Sequence, residues 1–252
     1  MQERRVLGVD VGASGIKGAV VDIETGQLIN ERIRLETPDP ATPEAMAEAF
    51  AELVRQHSWK GLVGCGFPSI IKGGVAFSAA NISEKWIGTN VVEILSLASG
   101  CPVEVLNDAD AAGMAEMQFG LGQGEMGTVL LITIGSGLGS ALFIDGKLVP
   151  NSELGHIYLK GQKHVAEQYA SNNARKREDL SWEEWGIRFN EYLETIERVF
   201  NPDLILLGGG TSKRFDKYDT YITVQTPIKP AELLNAAGTV GAAVYAYQQS
   251  RK

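Results

Sequence analysis

The chain has 252 residues, 31 acidic against 23 basic, a formal net charge of −8 and a hydrophobic content of 44%. That supports one large or two modest domains with a real core and excludes a disordered chain. The acidic balance argues against a nucleic-acid partner, two isolated cysteines (Cys65 and Cys101) make neither a disulfide framework nor a metal knuckle, and no apolar run approaches a membrane span.

The start, MQERRVLGVD, lacks the apolar stretch of a signal peptide, so a cytoplasmic protein without membrane contact is expected. Glycine is in excess, with 29 residues and no G-x-y period. It is therefore expected in turns and at close backbone approaches.

The first predicted element is a hairpin. Residues 6–19, VLGVDVGASGIKGA, read as an apolar strand and a glycine-rich loop; a second strand follows at 20–23 and a turn at Thr25-Gly26. Thr42 and Pro43 open a helix, with Ala45, Met46, Ala49, Phe50, Leu53 and Val54 as its apolar stripe. Residues 61–67 read as a buried strand, 91–98 as a helix closed by Gly100, and 103–106 as a strand. That last strand delivers Asn107 and Asp108 to its C-terminal end, where α/β proteins bind ligands. The hairpin then recurs at 129–141, VLLITIGSGLGSA, with a second strand at 142–144 and a turn at Asp145-Gly146. Two copies about half a chain apart predict two domains of similar build. Residues 172–179, NNARKRED, read as a charged linker or helix start. Ser181 and Glu184 form a capping box for a helix that buries Trp185, Phe189, Tyr192, Leu193, Ile196 and Phe200. Asn201-Pro202 stops it, a strand at 203–207 runs into three glycines, and 238–249 is a small-residue helix.

Three stretches carry chemistry. In the first hairpin, Gly12, Ser14 and Gly15 let backbone amides face an anion, with Lys17 beside them. Asp10, at the end of the strand, can hold Mg²⁺ or its water next to phosphates. The second hairpin offers Thr133, Gly135, Ser136, Gly137, Gly139 and Ser140, hydroxyls in place of the acid, suited to the next phosphate along. The third stretch is Gly208, Gly209 and Gly210 at a strand end. Any one of them alone is more often a tight turn than a phosphate cradle. The three in this order are hard to explain by accident. Asp108 and Asp110 are each suited to cap the helix that follows. Glu153-x-Gly155-His156 is either a surface turn or a pair that binds adjacent hydroxyls.

With these motifs the chain resembles the sugar-kinase, actin and chaperone-ATPase superfamily. More narrowly it resembles the ROK sugar kinases, and within them the polyphosphate glucokinase branch. The resemblance rests on DVGASGIKG near the start, GFPSII at 66–71, AANISEKWIGTN at 79–90, NDADAAGMAE at 107–116, ITIGSGLGSALFIDGKLVPNSELGH at 132–156, NPDLILLGGGTSK at 201–213 and NAAGTVGAA at 235–243.

The resemblance implies two ribonuclease H-like α/β domains with an active site in the cleft between them. The first would span 1–108 and be joined by the C-terminal helix at 238–250; the second would span 109–252. It implies Asp108 as general base for the sugar 6-hydroxyl, with Asn81, Asn107, Glu153, His156 and Glu167 on the sugar. The glycine stretches, with Lys213, would bind the donor. Many ROK kinases follow their Gly-His with a cysteine-rich zinc site. Here Tyr158, Lys160 and Val165 fall on the cysteine positions, so no zinc site is expected. The implied reaction is transfer of the terminal phosphoryl of polyphosphate to glucose, with Mg²⁺ as cofactor, ATP as a weaker donor and a homodimer as the assembly. The alternative is an ATP-dependent hexose or N-acylhexosamine kinase of the same family. A polyphosphate donor needs a cationic track, for which Lys72, Lys85, Lys160, Lys163, Arg214, Lys217 and the run from Arg175 to Arg177 are further candidates.

Overall fold

The computed structural model describes residues 4–79, 82–233 and 236–252. The chain forms two compact units, Met1–Phe119 with Ala236–Lys252, and Gly120–Asn235.

The first unit is built on a mixed five-stranded sheet in the order β3-β2-β1-β4-β7. β1 (Arg5–Gly12), β2 (Gly15–Asp22) and β3 (Ile33–Leu35) form an antiparallel meander, and β4 (Val63–Phe67) and β7 (Val103–Asn107) run parallel to β1. α1 (Pro43–Gln56) starts at Thr42, whose side chain accepts the Ala45 amide, and buries Met46, Phe50, Leu53 and Val54. β5 (Ile71–Lys72) and β6 (Val75–Ala76) make a small separate hairpin. α2 (Val91–Ser99) ends at Gly100, whose φ of 68° lies in the left-handed region open to glycine. α3 (Asp108–Phe119) follows β7 without a break.

The second unit repeats the plan. Its sheet runs β10-β9-β8-β11-β12. β8 (Thr128–Ile134), β9 (Leu138–Ile144) and β10 (Lys147–Val149) form the meander. β11 (Leu204–Gly208) and β12 (Ile228–Pro230) complete the sheet in parallel. Three helices precede β11: α4 (Ala166–Ala170), α5 (Asn172–Arg177) and α6 (Trp182–Phe200). The capping box at Ser181 and Glu184 is present, and Asn201 ends α6 with φ 43°. α7 (Gly209–Ser212) follows β11 directly, and α8 (Ala237–Gln249) is the last element.

Three readings of the sequence change. The glycine-rich segments are mostly strand: β2 starts at Gly15 and β9 at Leu138, so the first turn shrinks to Ala13-Ser14. Glycine ends a strand less sharply than its composition suggests when both neighbours pair. Of the two readings of 172–179, the helix start holds: 172–177 are helix, capped by Ser171, which accepts the Ala174 amide at 3.2 Å. The third glycine run enters a short helix instead of a turn. The division between units falls after Phe119, not after Asp108, because α3 packs against α8 within the first unit.

That packing explains several of the glycines. α8 lies on β1 and β4. A Cβ at Gly8 would run into the Thr239 carbonyl, one at Gly64 into the Ala242 carbonyl, and one at Gly241 into the Ala111 carbonyl of α3. These glycines allow helix backbone to rest on strand and helix backbone. Among the described residues no helix is long and apolar enough to cross a membrane.

Candidate functional site

In the first unit, Asp10 on β1 stands opposite Lys17 on β2. Lys17 Nζ is 3.7 Å from Asp10 Oδ2, and the two side chains are only 29% and 21% exposed. Burial holds the Asp10 carboxyl above the ordinary carboxylate range, and the charges of Lys17 and Arg32 pull it back. Gly238 closes over it: a Cβ there would sit 2.8 Å from the carboxyl carbon. Gly12 and Gly15 pair across the hairpin, which leaves Ala13 and Ser14 as an exposed tip. Two side chains grip this tip. Thr37 Oγ1 donates to Gly12 O at 2.6 Å, and Arg34 Nη2 donates to Ser14 O at 2.6 Å. Sequence reasoning missed both. The signal was the pairing of β3 with β2, which sets Arg34 opposite Lys17 and is not visible in one sequence.

At the end of β7, Asn107 is buried. Its Oδ1 accepts the Ala109 and Asp110 amides at 2.9 and 3.2 Å, and its Nδ2 donates to Ser69 O at 3.2 Å. The cap of α3 is therefore Asn107, not Asp108 or Asp110. A short amide side chain one residue earlier reaches both free N–H groups. Asp108 stands at the first position of α3, partly exposed, with Oδ1 accepting the Ala109 amide at 2.9 Å. Asn81 lies outside the described residues.

In the second unit, Gly208 is in register with Thr133, so the third glycine run lies beside the second hairpin. Gly209 has φ 77°, and a Cβ on it would meet Ile134 O at 2.6 Å. Gly135 N donates to Gly137 O at 3.0 Å, with Ser136 exposed at the tip. Gly139 is within β9. Gly210 and Lys213 are exposed, Lys213 just past α7. Ser140 is not a free hydroxyl for phosphate. It is buried, donates to Ser152 O at 2.7 Å and accepts the Leu154 amide at 3.0 Å. It thereby fastens the segment that carries Glu153.

The same unit gathers Glu153, His156 and Glu167. His156 Nδ1 is 3.6 Å from Glu153 Oε2, and its Nε2 is 3.6 Å from Glu167 Oε1. Glu167 also lies against Gly137, where any Cβ would collide with its carboxylate. Burial raises the Glu153 carboxyl above its usual range; His156 opposes the shift and Glu167 adds to it. The loop where many ROK kinases carry zinc ligands is closed by backbone. Tyr158 bridges Val165, and Ala166 N donates to Ile157 O at 2.8 Å. Of the remaining cations, Arg175 stacks on Trp182 at 4.2 Å and Arg177 donates to Gln168 O, so both serve local packing.

The chain as a whole is similar to known proteins. The ROK family pattern covers residues 6–178. The polyphosphate glucokinase of Mycobacterium tuberculosis (strain CDC 1551 / Oshkosh) is 43% identical over 243 residues, 96% of this chain and 91% of that protein. The crystal structure of the inorganic polyphosphate/ATP-glucomannokinase from Arthrobacter sp. strain KM superposes with a TM-score of 0.93 at 48% identity, covering 97% of this chain and 99% of that one. A ROK family glucokinase from Streptomyces griseus, solved with glucose and AMPPNP, gives a TM-score of 0.82 at 26% identity, covering 97% and 99%. With its motifs, its paired sheets and its relatives in agreement, this chain belongs to the ROK family.

Proposed function

We propose that this chain transfers the terminal phosphoryl group of inorganic polyphosphate to the 6-hydroxyl of glucose. The observation that carries the reading is similarity to polyphosphate glucokinase along nearly the whole chain, on a scaffold that keeps Asp108 at a strand end and Glu153, His156 and Glu167 together.

Asp108 accepts the proton of the sugar hydroxyl as that oxygen bonds to phosphorus. The bond from phosphorus to the bridging oxygen breaks, and the chain leaves one phosphate shorter. Base assistance is worth about 10²- to 10⁴-fold, and alignment with charge stabilisation supplies most of the rest. Glu153, His156, Glu167 and Asn107 bind sugar hydroxyls, joined by Asn81. The amides of the two hairpins and of Gly208 to Gly210, with Lys17 and Lys213, meet the donor phosphates.

Among the described residues no cluster of three or more His, Cys, Asp or Glu is placed to hold a metal. Asp10 alone fits Mg²⁺, which uses one or two carboxylates and takes its other ligands from phosphates and water. The mostly buried carboxylate on β1, packed on Gly238 and beside Lys17, is such a group. When bound, the ion would neutralise donor charge.

The Arthrobacter relative's name includes ATP and mannose, so both belong in the test. Initial rates with polyphosphate and ATP, each against glucose, mannose and glucosamine, are expected to be highest for polyphosphate with glucose. Activity with ATP alone would leave the ATP-dependent hexose kinase reading. A homodimer is proposed as the assembly, and light scattering after size exclusion tests it.

A further inference from the structure

The first hairpin is held by a residue that no motif includes. Arg34 is paired with Lys17 across β2 and β3. Two like charges directly opposite in an antiparallel pair are unfavourable. The conflict is reduced because the Arg34 guanidinium is drawn along the strand to the hairpin tip, where Nη2 donates to Ser14 O at 2.6 Å. It lies over Gly15: a Cβ there would sit 2.7 Å from Nε and 3.1 Å from Cζ. Gly15 is thus the space that the guanidinium occupies. Thr37 holds the other side of the same turn through Gly12 O at 2.6 Å.

A peptide unit is planar, so fixing a carbonyl fixes the N–H of the next residue. Arg34 therefore sets the Ser14–Gly15 peptide, and Thr37 sets the Gly12–Ala13 peptide. Those two units bracket the exposed tip that the functional reading aims at donor phosphate. The guanidinium also leaves Lys17 on the same row facing Asp10.

We propose that Arg34 is the positioning residue of the donor hairpin, with Thr37 as its second anchor, and that it acts on donor affinity and not on sugar affinity. This rests on the assignment of the first hairpin to the phosphate donor, whether polyphosphate or ATP.

The test uses the full-length chain with Arg34→Gln, Arg34→Lys and Thr37→Val. KM and kcat are measured for polyphosphate and for ATP, and glucose affinity by calorimetry without donor. Loss of a charged hydrogen bond predicts a donor KM about tenfold higher in Arg34→Gln. Glucose affinity stays unchanged, Arg34→Lys recovers most of the loss, and Thr37→Val raises donor KM about threefold. Combining Arg34→Gln with Thr37→Val should give less than the sum, since both hold one turn. An unchanged donor KM in Arg34→Gln, or donor and glucose affinities falling together, overturns the proposal. If the wild type uses ATP only, the polyphosphate reading fails while the Arg34 test still runs on ATP.

Discussion

The two units share one strand order and differ in what covers it. One face of the first sheet is covered by α8, a helix rich in glycine, alanine and valine that lies backbone to backbone on β1, β4 and α3, while α1 buries Met46, Phe50 and Leu53 in the same unit. The second sheet is covered by α6, which contributes Trp185, Phe189, Tyr192, Leu193 and Ile196. Trp185 stacks on Phe189 at 5.1 Å and meets Tyr218 edge-on at 4.9 Å. The proposed chemistry divides along the same line. Acids at strand ends, Asp10 and Asp108, belong to the close-packed unit. The hydroxyl-lined hairpin and the Glu-His-Glu group belong to the aromatic one. One topology thus tolerates two solutions to core filling, close approach of small residues or burial of large ones.

The comparison can be broken at its strongest point by Asp108→Asn. Turnover is expected to fall at least about 100-fold, while glucose binding stays within about tenfold. Near-normal turnover would remove Asp108 from the reaction. The two core solutions then predict sensitivity to opposite kinds of change, added volume in one and removed volume in the other. Gly64→Val adds atoms where the Ala242 carbonyl already sits and should cost about 3 kcal/mol by chemical denaturation. Trp185→Phe removes volume, together with the Nε1 bonds to Ala170 O and Ser171 O, and should cost about 2 kcal/mol. A neutral outcome for either change would deny the contrast.

Ser140→Ala sharpens the division of labour within the second unit. It frees the Ser152 and Leu154 backbone groups, so the glucose KM should rise about fivefold while the donor KM moves less. The smallest effect concerns Glu153. Its carboxyl titrates above the ordinary range, chiefly through burial, so the folded state binds more protons than the unfolded one between the two pKa values. The ionised form therefore destabilises the fold above the raised pKa and has no effect below the unfolded one. Glu153→Gln should raise Tm by about 1 °C at pH 7 and leave it unchanged at pH 3. It should weaken glucose binding at pH 7 all the same.

What the sequence disclosed follows a physical rule. Local signals were readable: the Thr42 cap, the capping box at Ser181, the stop at Asn201, and both hairpins by their repetition. The boundary between strand and turn was not, because Gly12, Gly15 and Gly139 look alike whether they pair or bend. Cap ownership was also ambiguous between Asn107, Asp108 and Asp110, which lie within four residues, and tertiary position favours Asn107. Long-range partners were out of reach. Ser140 reads as a phosphate hydroxyl until Ser152 is seen beside it, and Arg34 reads as an ordinary surface charge until β3 is placed. Part of the glycine excess serves helix packing, at Gly8, Gly64 and Gly241.

α8 has a further meaning for how the chain comes to be folded. Gly8 and Gly64 were shaped for a helix at the far end of the chain. During synthesis from the N-terminus the first sheet must therefore wait, one face uncovered, until the last helix emerges. The second unit is a continuous stretch and can close first. Order of completion is then the reverse of order of synthesis. A premature stop before Ala237 would strand the half that bears Asp10 and Asp108, although every residue of its sheet had already been made.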